Sequence, residues 1–234
     1  MLITPTPGKR VVGLDAATGE EIWSFRSEKG GQPAFRGMVH WEGDAEQEGR
    51  ILFTAGETLF ALRPKDGKVL FAEQAVEVRA AGAIYKNVIV LAGFRKDVFG
   101  FDLRTGKKLW TFHTIPEKGE FGHDTWDAPE NGANCWGGMS LDTGRGIAYV
   151  STGSPKPNFM GHTHRGINLF ANCVIAIDAL SGKRIWHFQI VHHDLLDKDL
   201  PCPPVLVTVT HKGKKIDAVA QGTKHGLLLS LIHI

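Results

Sequence analysis

The sequence predicts an all-β fold built from repeated strand–turn–strand units, and three observations predict it. The first is a recurring phrase. Leu14-Asp15-Ala16-Ala17-Thr18-Gly19 running into Ile22-Trp23-Ser24-Phe25 returns as Phe101-Asp102-Leu103-Arg104-Thr105-Gly106 with Leu109-Trp110-Thr111-Phe112. It returns again as Ile177-Asp178-Ala179-Leu180-Ser181-Gly182 with Ile185-Trp186-His187-Phe188. A worn copy, Leu62-Arg63-Pro64-Lys65-Asp66-Gly67 with Leu70-Phe71, lies between the first two. The second observation is that the flanking segments are β-branched or aromatic, as in Val88-Ile89-Val90-Leu91 and Ile147-Ala148-Tyr149-Val150. The third is that helical spacing of apolar residues is sustained nowhere.

Taken in order, each copy reads as strand, tight turn, strand. Val11–Leu14 enters the first turn and Ile22–Phe25 leaves it. An aspartate at the start can accept hydrogen bonds from amides two or three residues on, and the glycine supplies the positive φ of the reversal. The aspartate-equivalent positions 15, 63, 102 and 178 lie 48, 39 and 76 residues apart. The first two intervals suit one four-stranded propeller blade per repeat. The third holds a blade plus large loops. About four blades are expected over residues 1–228. Both ends read as cut, and Leu229-Ser230-Leu231-Ile232-His233-Ile234 resembles a translated sequencing adapter, so 229–234 is expected to be a non-native tail.

Composition narrows the partners. A hydrophobic content of 42% is ample for a core, and a net charge of +2 with no basic stripe argues against nucleic acid. The densest basic cluster, His211-Lys212-Gly213-Lys214-Lys215, reads as a solvated hairpin turn. No stretch is long and apolar enough to span a bilayer. The opening Met1-Leu2-Ile3-Thr4-Pro5 lacks signal-peptide architecture. Cys135, Cys173 and Cys202 form no Cys-x-x-Cys pair, which excludes a covalently attached c-type haem and a zinc ribbon within these residues. They read as free thiols.

Three segments depart from the repeat: 132–142 with Asn134-Cys135-Trp136-Gly137-Gly138, 191–201 with His192-His193-Asp194-Leu195-Leu196-Asp197, and 221–226 with Gly222-Thr223-Lys224-His225-Gly226. Polar groups packed this densely after apolar strands are expensive to bury idly, and loops on a rigid scaffold commonly carry function.

In these segments and in the repeat phrase, the chain resembles the quinoprotein dehydrogenases over nearly all of residues 1–228. Their order and separation are similar to the membrane-associated glucose dehydrogenase branch. The resemblance implies part of an eight-bladed β-propeller that binds pyrroloquinoline quinone (PQQ) and oxidises a small alcohol or sugar. It further implies electron delivery to a respiratory quinone or cytochrome, in a periplasmic, membrane-associated setting. Trp136 matches the tryptophan beneath the PQQ plane, an aromatic face that a flat quinone needs, with Asn134 and Thr152 as further cofactor contacts. Asp197 matches the catalytic aspartate, since an alcohol must lose its hydroxyl proton as hydride leaves carbon. Asp194 and Asp199 are its rivals. Lys224 matches the basic residue at the quinone oxygens, where a cation stabilises developing negative charge. Arg36, in an Arg-Gly pair, matches the partner of a PQQ carboxylate.

Calcium or magnesium accompanies PQQ in such enzymes through oxygen ligands. The candidates here are Ser154, standing where family alcohol dehydrogenases carry asparagine, and Asp197. The serine and a short 91–99 segment are departures from the family pattern. Two other readings compete: a non-catalytic propeller scaffold of outer-membrane assembly, which shares the repeat phrase, and a metal-dependent hydrolase using His162, His164, His192 and His193. The segments at Trp136, Asp197 and Lys224 favour the dehydrogenase.

Overall fold

A computed structural model describes residues 1–27, 31–34, 36–127 and 131–232. Phe35 of the Phe-Arg-Gly pattern, and His233 and Ile234 of the expected tail, lie outside the described residues.

The strands fall into five antiparallel sheets, each paired in simple chain order. Sheet I holds β1 (Leu2–Thr6), β2 (Arg10–Leu14) and β3 (Glu21–Arg26). Sheet II holds β4 (Val39–Gly43), β5 (Glu48–Ala55), β6 (Thr58–Leu62) and β7 (Val69–Gln74). Sheet III holds β8 (Ala83–Tyr85), β9 (Val88–Ala92), β10 (Val98–Asp102) and β11 (Lys108–Phe112). Sheet IV holds β12 (Met139–Asp142), β13 (Ile147–Ser151), β14 (Cys173–Asp178) and β15 (Arg184–Gln189). Sheet V holds β16 (Val205–His211), β17 (Lys214–Gly222) and β18 (Leu228–Ile232). Three complete blades and two three-stranded sheets are therefore present among the described residues. Residues 228–232, most of them in the expected tail, pair with β17. Ladder pairing needs only backbone groups and apolar alternation, so it is indifferent to where those residues come from.

The repeat phrase is the hairpin joining the last two strands of a blade. Asp15 Oδ1 accepts the amides of Ala17 and Thr18 at 2.8 and 2.9 Å, and Asp102 Oδ1 accepts those of Arg104 and Thr105 at 3.0 and 2.8 Å. The worn copy keeps the same backbone closure, Gly67 N–H to Arg63 O at 2.9 Å, without an aspartate at its head. The phrase also explains its own aromatic residue. In sheets I to III the ring rests on the turn glycine of the next sheet. A Cβ on Gly67 would stand 2.5 Å from Trp23, one on Gly106 2.6 Å from Phe71, and one on Gly182 2.5 Å from Trp110. Trp23 Nε1 also donates to Pro64 O at 2.9 Å. These glycines carry positive φ as well, so both demands fall on one residue.

Side chains alternate between neighbouring sheets. Ile51, Phe53 and Phe60 pack with Val11 and Trp23 of sheet I, while Leu52, Leu59 and Ala61 pack with Ile89, Leu91 and Phe101 of sheet III. Both faces of the inner strands β5, β6, β9, β10, β13 and β14 are buried, which is why those strands read as continuous apolar runs, while outer strands such as β7 and β16 are largely exposed. The core thus lies between blades. Antiparallel order sends every repeat turn to one end of the sheets. The connections between blades, and the central hairpins of sheets II–V, go to the other end.

Candidate functional site

All the departing segments lie on that second end. Residues 113–138 and 190–204 are connections between blades, and 152–172 and 223–227 join the second and third strands of sheets IV and V. Topology alone therefore gathers Trp136, Ser154, Asp197 and Lys224 onto one face, opposite the repeat turns. The first strands of sheets III, IV and V are neighbours, so the segments entering them stand side by side.

Two of these segments meet through a shared cation. Lys224 Nζ donates to Asp197 Oδ2 at 2.8 Å and to Asp199 Oδ2 at 2.9 Å, and lies 6.0 Å from the centroid of the half-buried Trp136 ring. Asp197, at φ 58°, receives a second hydrogen bond on Oδ1 from Asn158 Nδ2. Burial pushes the Asp197 carboxyl up, but the hydrogen bonds from Lys224 and Asn158 outweigh it and hold the group below the ordinary aspartate range. Burial likewise works against the Lys224 charge. The two carboxylates win, and the ammonium persists above the ordinary lysine range.

The rival aspartates are spent elsewhere. Asp194 is fully buried, with Oδ2 accepting from Ser154 Oγ at 2.6 Å, Asn172 Nδ2 at 2.9 Å and the Lys198 amide at 2.6 Å. Its Oδ1 accepts the Leu196 amide at 3.0 Å, so it ties the loop together. Asp199 Oδ1 accepts the Ser154 amide at 2.6 Å. Of the three, only Asp197 stands partly open beside the ring and the cation.

The other sequence candidates divide. Arg36 is exposed on the same face, lining a cleft of about 350 Å³ with Gln32, Thr54, Glu77 and Arg79. Its backbone pairs with Ala80, which lies beside Gly138, two residues from Trp136. Asn134 is buried, its Nδ2 donating to Phe94 O. Thr152 is turned inward, its hydroxyl against Phe170 O at 2.5 Å and Cys173 O at 3.2 Å, so it braces the 152–172 loop rather than facing the cleft.

Sequence reasoning missed Asn158, which lies among prolines in Pro155-Lys156-Pro157-Asn158 and belongs to no motif. It also weighed Asp199 only as a rival base. Its spacing of two from Asp197 was visible, but its orientation was not.

The donor set fits PQQ: a half-exposed aromatic ring, a cation 6.0 Å from its centroid and a carboxylate bonded to the same cation. The metal candidates fit less well. The Ser154 hydroxyl is aimed at Asp194, and both Asp197 oxygens are occupied. Among the described residues no group of three or more His, Cys, Asp or Glu side chains is arranged to hold a metal ion. His164 and His193 meet edge to face at 5.3 Å, and burial followed by the charge of His193 pushes the His164 imidazole down, toward its neutral form. Cys135 and Cys173 are buried free thiols, and Cys202 is a partly exposed one.

The family model described as glucose/ethanol/alcohol dehydrogenase, beta-propeller domain, matches residues 1–231. The quinoprotein glucose dehydrogenase of Escherichia coli (strain K12) is 27% identical over 270 residues, covering 97% of this chain but 34% of that relative. Among solved structures, the quinohemoprotein alcohol dehydrogenase from Comamonas testosteroni superposes with a TM-score of 0.79 at 22% identity, over 95% of this chain and 38% of its own. BamB from Moraxella catarrhalis superposes less well, with a TM-score of 0.57 at 15% identity over 97% of this chain and 57% of its own.

Proposed function

The chain belongs to the PQQ glucose/ethanol/alcohol dehydrogenase β-propeller family, and from that premise we propose that it forms the catalytic face of a dehydrogenase acting on an alcohol or sugar hydroxyl. The observation that carries this reading is the Lys224 ammonium shared with Asp197 and set 6.0 Å over the Trp136 ring. Bound there, PQQ would supply the two-electron acceptor for hydride leaving the substrate carbon.

The chain's own residues do the rest. Trp136 offers the flat apolar face on which the cofactor would lie, and Lys224 places N–H donors and a positive charge at its edge. Arg36, exposed on the same face, is the guanidinium available to a carboxylate. Asp197, charged at neutral pH, takes the hydroxyl proton as the carbon–hydrogen bond breaks. With the hydroxyl proton held on Asp197 and the hydride accounted for by a bound PQQ, the substrate would leave as a carbonyl compound and the charges would balance. No step is assigned to a metal here: the Ser154 hydroxyl donates to Asp194, and each Asp197 oxygen accepts a hydrogen bond. Electrons then pass to a respiratory quinone or cytochrome, in a periplasmic, membrane-associated setting. No helix among the described residues is long and apolar enough to cross a membrane.

The deciding experiment is a PQQ titration of the full-length protein, with and without calcium or magnesium, followed by tryptophan emission and cofactor absorbance. Saturable binding with quenching that disappears in Trp136→Phe supports the assignment. Loss of binding when metal is chelated would restore a metal to the site. No binding under any condition would remove the enzyme reading and leave a scaffold propeller.

A further inference from the structure

We propose that Asp199 is a positioning residue for this reaction: its buried carboxylate holds the Lys224 ammonium beside Asp197 and Trp136, and it acts on the reacting groups only through Lys224. The inference rests on the reading of Lys224 as the cation beside the cofactor. Asp199 is 6% exposed, and both of its oxygens are engaged, Oδ1 by the Ser154 amide at 2.6 Å and Oδ2 by Lys224 Nζ at 2.9 Å. Asp197 is also hydrogen-bonded at both oxygens, but it is only half-buried, whereas Asp199 lies buried, so Asp199 is no second base. Its charge needs a cation at that depth, and Lys224 is the side chain that reaches it.

The arrangement separates two duties. Asp197 is the more open carboxylate and can change protonation during turnover. When a proton sits on it, Lys224 loses one of its two counter-charges and keeps the other. A lysine stem is long and flexible, so without Asp199 the ammonium would be free to leave the Trp136 ring as Asp197 becomes neutral. The backbone is shaped for the seat as well. A Cβ on Gly153 would stand 2.6 Å from Asp199 Oδ1 and 3.3 Å from Asn134 Oδ1, so a side chain there would displace the carboxylate.

The test uses the full-length protein, first without cofactor. Acylation of Lys224 by acetic anhydride, read peptide by peptide by mass spectrometry, reports how tightly the ammonium is held. Trp136 emission, isolated by difference against Trp136→Phe, reports its place over the ring. Asp199→Asn should raise Lys224 acylation about tenfold, the equivalent of one charge-assisted hydrogen bond, and should shift the Trp136 emission. In a Lys224→Met background the same substitution should shift that emission no further. Gly153→Ala, which displaces the same carboxylate, should reproduce the acylation result. With PQQ restored, Asp199→Asn should hold the substrate KM and lose ~10²-fold in kcat, the scale of a misplaced catalytic group. Unchanged Lys224 acylation in both variants, or an equal emission shift with and without Lys224, overturns the proposal. Failure of the parent protein to bind PQQ would instead remove the proposed function, and the cofactor-free measurements would still decide the link between Asp199 and Lys224.

Discussion

Asp197 and Lys224 hold each other in their charged forms, and that fixes how the site should respond to pH. The folded Asp197 carboxyl titrates below its unfolded value, so its contribution to stability is present above the ordinary aspartate range and is lost as pH falls through the lowered one. Lys224 titrates above its unfolded value, so its contribution is present below the ordinary lysine range and is lost as pH rises through the raised one. The pair is therefore intact throughout the interval between. If Asp197 is the base, the acid limb of kcat/KM should lie below the ordinary aspartate range. A limb well above that range would assign the proton to another group. Asp197→Asn should retain PQQ and lose ~10²–10⁴-fold in turnover, the usual worth of a general base. Turnover at the parent rate would take Asp197 out of the chemistry. Lys224→Ala should slow cofactor reduction by ~10²–10³-fold, as loss of one preorganised charge-stabilising donor does elsewhere, and rapid-mixing absorbance would read it directly.

The repeat hairpin asks different things of its aspartate and its glycine, and one blade separates them. In sheet II the aspartate position is Arg63, yet the turn closes through the same backbone bond and keeps Gly67. The aspartate adds hydrogen bonds to a turn that forms without it, and each is worth only ~1 kcal/mol net. The glycine is where a neighbouring blade's ring touches the backbone, so any Cβ meets that ring in addition to a disfavoured φ. Gly182→Ala, pressed against Trp110, should cost ~1–3 kcal/mol from overpacking alone and more with the backbone strain. Asp178→Ala should cost less. Urea unfolding of the two variants in the full-length protein decides the order, and equal losses would mean that blade-to-blade contact is not what the phrase encodes.

At the scale of the whole molecule, stability is shared between adjacent sheets, because each apolar cluster is built from two of them. Sheet V carries exposed Val205, Leu206 and Leu228. Its last strand has β17 on one side and an open ladder edge on the other. An apolar face next to an unpaired edge invites association. Expressed as these 234 residues alone, the chain should elute from a sizing column above its monomer mass of 25.6 kDa, and Leu228→Lys should reduce that association. A monodisperse monomer would show that sheet V is adequately covered.

The sequence by itself determined the architecture and the family. The repeat phrase carries its turn geometry in local residue types, and a blade docks only on its neighbour, so period and composition suffice to predict the propeller. Trp136, Asp197 and Lys224 stood out as candidates because a motif surrounds each one, and they lie together in the fold. Tertiary structure decided which polar groups remain available. Thr152 and Asn134 stand in the right segments, but buried backbone carbonyls claim their donors. Ser154 is drawn to Asp194, and Asn158 reaches Asp197 from a loop with no signature. Hydrogen-bond partners 18 to 45 residues apart in the chain are chosen by loop packing on a common face, and no local pattern records that choice. The same packing turned Asp199 from a rival base into the anchor of Lys224.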